Sequence, residues 1–346
     1  MPSQGVPRGV TVRAIAARSG VSIATVSRVL NDRSNVAPQT RELVRRAVEE
    51  LSDQARARAV RDGAARVPRG AVYLRCPYLL TDYFGVIVSS IAETLDLYGR
   101  TLILNAGEAA QRETVLPTLP ARPGVGGAIV ILPPEPSEEL LALRDRGFPF
   151  VVVDPRVRPP RDIAAVSAAH FAGARSMTAH LVGLGHRRIG VIAGPHNWMA
   201  GQARMAGHAS ALADAGVLPS AELTRSAHPT TQDGLKAADD LLDLPEPPTA
   251  LIAFNDKAAV GALTAAARRG LRVPEDLSVA GFDDIDLAQA TTPLLTTVRQ
   301  PLAEMGRMAV SLLIRLMDRH KVDALHVELA TELVVRGSTG PARGAS

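Results

Sequence analysis

Residues 11–30, TVRAIAARSGVSIATVSRVL, constrain the fold most, because their apolar positions repeat at helical spacing on both sides of a break. The break falls at Ser19-Gly20, and glycine suits a tight turn because it accepts a positive φ without a Cβ clash. Ser22 stands where the N-cap of a second helix belongs. The stretch therefore predicts two short helices joined at a tight turn, a helix-turn-helix arrangement.

The second predicted helix carries the side chains that we expect to meet DNA. This motif places the N-terminal end of that helix in the major groove. There Arg28 can donate a bidentate pair of hydrogen bonds to guanine O6 and N7, whereas Ile23 and Ala24 can only contact thymine methyl groups. Short hydroxyl and amide side chains suit phosphate oxygens, which fix register without reading sequence. The predicted DNA-contacting set of this motif is Thr11, Ser22, Ile23, Ala24, Thr25, Ser27, Arg28 and Asn31.

The distribution of charge favours DNA binding over the alternative of a helical hairpin that only packs. Residues 1–70 hold thirteen Arg, no Lys and six Asp or Glu, a net charge of +7, while the whole chain is +4, which leaves about −3 for the remainder. A basic module on a mildly acidic body is what attraction to phosphate requires.

A third helix is predicted over residues 38–51, with Pro38 in its first turn and an apolar stripe on one side. It completes an all-α head that spans residues 1–52. Residues 53–70 are rich in arginine and alanine, and they predict a polar linker. Arg56 and Arg58 in this linker can follow the DNA backbone or enter a narrow minor groove. The alternative is a solvated linker without DNA contacts.

Beyond residue 70, short apolar runs alternate with segments of helical spacing, as in βαβ units. Near-continuous apolar strands are buried on both faces, which indicates parallel sheets. We therefore expect an α/β trunk of two parallel-sheet subdomains, with a ligand cleft where the carboxyl ends of the strands converge. The predicted strands are AVYLRC (71–76), RTLILN (100–105), GAIVIL (127–132), FVVVD (150–154), GVIAG (190–194), ALIAF (250–254) and DLSVAGFD (276–283).

The head and trunk motifs together resemble those of the LacI-type (LacI/GalR) family of bacterial transcriptional regulators, over nearly the whole chain. The resemblance implies a sequence-specific DNA-binding regulator, expected to be a repressor, whose affinity for its operator is controlled by a small effector. It also implies a periplasmic-binding-protein-like trunk over residues 71–340, crossed three times by the chain, and a tail at residues 341–346. The matching segments are GVS (20–22), ATVSRVLN (24–31), HLVGLGHRRIGVIAG (180–194), FND (254–256), GLRVPEDLSVAGFDD (270–284) and LVVRGST (333–339).

By the same resemblance, polar residues at the ends of trunk strands contact the effector. Asn255 and Asp283 follow strands and offer a carboxamide and a carboxylate, and Arg204 offers a planar guanidinium fork. Tyr83 and Phe84 stand where the family places ring-stacking or packing residues.

Three further residues of the trunk bear on the choice of effector. Trp198, the sole tryptophan, fits a sugar ring, although it could instead pack between the lobes. Ala169 stands where many relatives have an effector-binding aspartate, and His170 beside it is a further effector candidate. Asp256 is expected to cap the helix that follows it rather than to contact the ligand. We expect a small polar effector, carbohydrate first and a nucleoside or other metabolite second.

The linker departs from the family pattern at Asp62, where relatives have a leucine that wedges into the minor groove of bent DNA. An aspartate cannot unstack a base step and is repelled by nearby phosphates. The usual kink in the operator is therefore not expected.

Other functional classes find little support. Cys76, the only cysteine, lies on a predicted buried strand, and no metal-binding, G-x-S-x-G or P-loop motif occurs, so that neither an enzyme nor a cofactor is expected. A sugar-binding transport receptor is the alternative, because the trunk fold is shared. That alternative requires export, but Arg13, Arg18 and Arg28 interrupt any signal-peptide core, and no apolar run is long enough to span a membrane. We therefore expect a cytoplasmic protein.

The expected partners are a roughly palindromic double-stranded DNA operator, a small effector and a second copy of the chain, because paired half-sites follow the two-fold symmetry of a homodimer. The tail has no heptad of leucines, which predicts a dimer without a tetramerising segment.

Overall fold

The computed structural model describes residues 12–30, 36–63 and 70–343, and it divides into two units, residues 1–69 and residues 70–346. In the first unit, helices α1 (Val12–Ser19) and α2 (Ile23–Leu30) flank Gly20, whose φ is +69°. The predicted helix-turn-helix is confirmed. A small apolar core joins these helices to the third, and its buried members are Ile15, Val26, Val29, Val44 and Ala47.

The third helix, α3, is longer than predicted. It runs over Pro38–Gly63, whereas the sequence pattern predicted an end at Leu51 and a linker from residue 53. The apolar stripe does stop near Leu51, but the arginines and alanines that follow are strong helix formers and sustain the helix without it. The prediction was wrong because it took the end of the apolar stripe for the end of the helix.

The second unit is an α/β trunk with two six-stranded sheets, each forming one lobe. In lobe 1 all neighbouring strands are parallel, in the order β11-β5-β4-β3-β1-β2. These strands are β1 (Ala71–Cys76), β2 (Leu102–Ala106), β3 (Val125–Ile131), β4 (Phe150–Val153), β5 (Ala164–Ala168) and β11 (His326–Leu329). Its helices are α4 (Asp82–Leu97), α5 (Ser137–Asp145) and α10 (Leu302–Met317).

Lobe 2 has the order β12-β10-β9-β8-β6-β7, and it is parallel except that β12 runs antiparallel to β10. Its strands are β6 (Ile189–Ala193), β7 (Thr224–Ser226), β8 (Ala250–Ala253), β9 (Ser278–Asp283), β10 (Thr296–Arg299) and β12 (Glu332–Val334). Its helices are α6 (His170–Gly183), α7 (Met199–Asp214), α8 (Thr231–Leu242) and α9 (Asp256–Arg268). The chain passes between the sheets after β5, after β10 and after β11.

Close helix packing fixes the walls of each lobe. In lobe 2, α8 and α9 approach so closely that a Cβ at Gly261 would lie 2.3 Å from the Thr231 carbonyl oxygen. A Cβ at Gly207 of α7 would lie 2.2 Å from the Phe171 carbonyl oxygen of α6. In lobe 1, α4 and α10 pack around buried Ile87, whose carbonyl oxygen would lie 2.9 Å from a Cβ at Gly306. Each of these glycines therefore allows two helices of one lobe to pack at close distance.

Candidate functional site

A cavity of about 170 Å³ opens between the two lobes at the carboxyl ends of their strands. Six of the seven residues predicted to contact an effector line this cavity: Tyr83, Phe84, Trp198, Arg204, Asn255 and Asp283. The seventh, His170, does not line it. Further lining residues that the sequence did not single out include Tyr78, Asp154, Phe254 and Lys257.

Arg204 lies between two aromatic rings. Its guanidinium carbon is 4.4 Å from the centroid of Phe254 and 3.7 Å from that of Phe282. One Nη donates a hydrogen bond to the Phe254 carbonyl oxygen, and the other lies 3.7 Å from Asp283 Oδ1. Burial lowers the pKa of Arg204 from its ordinary value, against the opposing charge of Asp283. The planar fork is thus fixed at the cavity wall by its neighbours before any ligand binds.

Asp283 is the last residue of β9, and its backbone φ is +119°, a value that residues other than glycine rarely adopt. Gln300 Nε2 donates to its Oδ1 at 2.6 Å. Burial raises the pKa of Asp283 to about 7, although Arg204 and Gln300 both act to lower it. Strained backbone and a displaced pKa coincide at functional sites in many proteins.

Asp154 follows β4 directly, with a φ of +49°, and both of its oxygens are engaged. Oδ2 accepts a hydrogen bond from the Tyr83 hydroxyl at 2.8 Å, and Oδ1 lies 2.8 Å from His170 Nε2. Burial raises the pKa of Asp154, but the charge of His170 and the hydrogen bonds from His170 and Tyr83 outweigh it, so that the net pKa is lower than usual.

His170 is placed behind Asp154 rather than on the cavity wall. It is buried, and its Nδ1 lies 3.3 Å from an Nη of Arg204. The ring therefore connects Asp154 of lobe 1 to Arg204 of lobe 2 and orients both, without meeting the cavity. Asp154 could have been found by the rule that identified Asn255 and Asp283, since it is a carboxylate immediately after an apolar strand.

Asn255, and not Asp256, caps α9. Asn255 has extended backbone, and its Oδ1 accepts a hydrogen bond from the amide of Ala258 at 2.9 Å. Asp256 is fully buried and accepts hydrogen bonds from the Thr297 hydroxyl at 2.5 Å and the Ile285 amide at 3.0 Å. The capping prediction for Asp256 was wrong by one residue. Burial, reinforced by the charge of Asp283, raises the pKa of Asp256 well above its usual range.

Aromatic side chains form much of the remaining wall. Five of the eleven aromatic residues in the chain line the cavity: Tyr78, Tyr83, Phe84, Trp198 and Phe254. The rings of Tyr78 and Phe84 are stacked, with centroids 4.5 Å apart and planes at 7°. The cavity thus combines flat apolar faces with a small number of fixed polar groups, which is the usual composition of a small-molecule site.

In the head, Ser22 caps α2 as predicted, and its hydroxyl accepts a hydrogen bond from the Thr25 amide at 3.2 Å. Val26 and Val29 are buried, while Ile23 is 50% exposed and Arg28 is exposed. Among the described side chains of α2, Val26 and Val29 thus face the core, while the DNA-contact candidates Ile23 and Arg28 face outward. The side chains of Ala24, Ser27, Arg56 and Arg58, and all of Thr11 and Asn31, lie outside what the structure describes.

Three other groups that could take part in chemistry, a thiol, an imidazole and a carboxylate, are buried or paired within the trunk. Cys76 is buried on β1, and burial raises the pKa of its thiol to about 12. The ring of His186 is buried and lies 2.8 Å from the Thr249 hydroxyl and 3.1 Å from that of Ser278. Asp284 is held by ion pairs with Arg299 and Arg336, each 2.7 Å long.

Within the described residues, no helix has the length and hydropathy needed to cross a membrane.

Comparison with protein families gives two matches. The model described as bacterial regulatory proteins, lacI family, matches residues 11–52, and the model described as periplasmic binding protein-like domain matches residues 178–339.

Among curated proteins, the chain is 33% identical over 335 residues to the HTH-type transcriptional repressor CytR of Escherichia coli (strain K12), covering 95% of this chain and 96% of that protein. It is 32% identical over 332 residues to the HTH-type transcriptional repressor PurR of Edwardsiella ictaluri (strain 93-146), with 95% and 96% covered.

Among solved structures, the complex of the transcriptional regulator CelR with cellobiose has a TM-score of 0.71 at 30% identity and covers 95% of this chain and 99% of that chain. The lac repressor dimer bound to operator and the anti-inducer ONPF has a TM-score of 0.70 at 28% identity, with 96% and 99% covered.

Proposed function

This chain belongs to the lacI family of bacterial regulatory proteins and is a DNA-binding transcriptional regulator, and we propose that a carbohydrate bound in the cleft of its trunk controls its affinity for a roughly palindromic operator. As a repressor it binds this operator as a homodimer, in the cytoplasm where the DNA lies. The match of residues 11–52 to the lacI family model favours this function over the alternative of a transport receptor without DNA function.

The composition of the cavity wall supports a carbohydrate most directly. A sugar ring presents apolar C–H faces and a rim of hydroxyl groups. The aromatic rings of Trp198 and Phe84 suit the apolar C–H faces of a sugar. The Asp283 carboxylate and the Arg204 guanidinium suit its hydroxyl groups. The CelR complex, which has the same fold, holds cellobiose.

For the head, the exposed face of α2 supports base reading by Ile23 and Arg28, with Ser22 and Thr25 toward phosphate. Ala24, Ser27, Thr11 and Asn31 complete this proposed surface, and Arg56 and Arg58 of α3 extend it along the DNA backbone. Two such heads in a dimer would meet two half-sites.

The two lobes provide the means of control. Effector binding that changes the angle between the lobes would change the spacing of the heads in a dimer, and such couplings are typically worth about 1–3 kcal/mol. In this role Asp283 and Arg204 serve to bind hydroxyl groups of the effector, and no catalytic step is proposed.

A nucleoside is the second candidate effector. The rings of Tyr78 and Phe84 are stacked on each other, so that a base could extend this stack at an outer ring face, and the ribose hydroxyls would meet the same polar groups.

A thermal-shift screen of the full chain against cellobiose, glucose, ribose, cytidine and adenosine tests the ligand class. A ligand at 100 times its Kd stabilises a protein by about 2.7 kcal/mol, so that a true effector gives a clear shift. We expect the largest shift with one of the sugars. Stabilisation by the nucleosides alone would assign the cleft to nucleosides, and no shift with any of the five would contradict the proposed ligand classes.

A further inference from the structure

Arg156 lies outside the cavity but contacts two of the rings that line it. The residue follows β4 in lobe 1, and its guanidinium carbon is 5.7 Å from the centroid of Tyr78 and 5.0 Å from that of Trp198. One Nη donates to the Tyr78 hydroxyl, which itself donates to the Leu132 carbonyl oxygen at 2.7 Å. Arg156 is thereby anchored to lobe 1.

Trp198 belongs to lobe 2, where it is the N-cap residue of α7 and meets Phe254 edge-to-face, with centroids 6.2 Å apart. Its ring nevertheless packs against the apolar core of lobe 1. The amide of the next residue, Met199, donates to the Arg156 carbonyl oxygen at 2.6 Å. The start of α7 is thus attached to lobe 1 twice at Arg156, through the backbone and through the guanidinium.

The chemistry of the guanidinium explains why it lies there. Arg156 Nε is buried and has no hydrogen-bond partner among the described residues. The guanidinium does contact the rings of Tyr78 and Trp198. A guanidinium is flat and weakly hydrated and can lie against aromatic faces, whereas a lysine ammonium is a compact, strongly hydrated charge.

We propose that Arg156 is a positioning residue for the effector site: it holds the indole of Trp198 against lobe 1 as a wall of the cavity. Effector affinity then depends on a side chain that does not touch the effector. The part of this inference that concerns effector affinity rests on the proposed function, while the part that concerns the placement of Trp198 does not.

Because Trp198 is the only tryptophan in the chain, its fluorescence reports on this contact without any ligand. The experiment compares the full-length protein with Arg156→Met and Arg156→Lys, and with Arg158→Met, which removes an exposed arginine from the same loop as a matched control. For each, the emission maximum and the quenching by acrylamide are measured.

We expect Arg156→Met to shift the emission to longer wavelength and to increase quenching, because the indole loses its cover and gains access to water. Arg156→Lys should change both in the same direction, since an ammonium cannot cover the ring as a plane does. Arg158→Met should match the wild type. If Arg156→Met does not fold, Arg156→Lys keeps the charge and decides the question. Wild-type emission and quenching in every folded Arg156 variant would overturn the proposal.

The effector arm uses whichever of the five screened compounds stabilises the wild type most. Arg156→Met should weaken its binding by about 2-fold to 30-fold, the range that corresponds to loss of one cation–π contact. Unchanged affinity would overturn the role of Arg156 in the site. If no compound stabilises the wild type, the proposed ligand classes fail, and the fluorescence result still decides whether Arg156 positions Trp198.

Discussion

Asp283 Oδ1 lies 3.7 Å from the nearest Nη of Arg204 and 2.6 Å from Gln300 Nε2, so that a neutral amide, and not the guanidinium, donates the hydrogen bond that holds this carboxylate. The buried charge is only partly compensated, because Arg204 is too distant for a hydrogen bond. This relationship explains why burial dominates at Asp283 and raises its pKa to about 7.

The pKa of Asp283 predicts a pH dependence of stability. Its pKa is raised in the folded protein, so that its contribution is fully present below the unfolded value near 4 and is lost as the pH rises through about 7. Asp283→Asn removes this titration. We therefore expect the Tm of the variant relative to that of the wild type to increase between pH 5 and pH 8, by an amount on the order of a few kcal/mol in unfolding free energy.

The matched control for Asp283→Asn is Asp286→Asn, which removes an exposed carboxylate nearby. It should leave the pH profile of the wild type unchanged. Parallel Tm profiles for wild type and Asp283→Asn would show that Asp283 does not titrate in this range.

Replacing Arg204 by lysine tests whether its planar guanidinium contributes to effector binding. Arg204→Lys keeps a positive charge but loses the plane that lies between Phe254 and Phe282 and the fork that faces the cavity. We expect effector binding to weaken by at least about tenfold, or about 1.4 kcal/mol, while DNA binding without effector is retained. Titration calorimetry with the effector and a gel-shift assay measure the two effects. Arg175→Lys, on exposed α6 surface, is the control, and equal affinities in the two variants would remove Arg204 from the site.

Replacing Gly261 by alanine should destabilise the protein through helix packing alone. A Cβ at this position would lie 2.3 Å from the Thr231 carbonyl oxygen and 2.4 Å from the Leu235 amide, and both are backbone atoms that cannot move aside cheaply. Gly261→Ala should therefore lower the free energy of unfolding by about 1–3 kcal/mol, as overpacking does. Urea denaturation measures this change. Gly183→Ala meets nothing within 4 Å and should be neutral or slightly stabilising, so that an equal loss in both would exclude the packing explanation.

Much of this architecture could be predicted from local patterns. The break at Gly20 and the hydroxyl of Ser22 indicated the turn and the cap, and apolar runs such as FVVV indicated the buried strands. Asn255 and Asp283 were singled out by the family resemblance together with their position after strands, because side chains at the carboxyl ends of parallel strands converge on the cleft.

The remainder depends on packing between segments that are distant in sequence. The placement of His170 behind Asp154 follows from how α6 meets β4, and no spacing rule contains that information. The contact of Arg156 with Trp198 likewise arises only when the lobes face each other. Local propensity also extended α3 to Gly63 after its apolar stripe had ended.

Selection of sequences from a pool of random DNA duplexes at low ionic strength, with wild type and Arg28→Ala in parallel, decides whether the head reads DNA sequence. The wild type should enrich a roughly palindromic sequence. Arg28→Ala should lose that preference, by about 1–3 kcal/mol of discrimination, and keep only weak, salt-sensitive binding. If the wild type enriches no sequence, the account of a DNA-reading head governed by a ligand-binding trunk is contradicted.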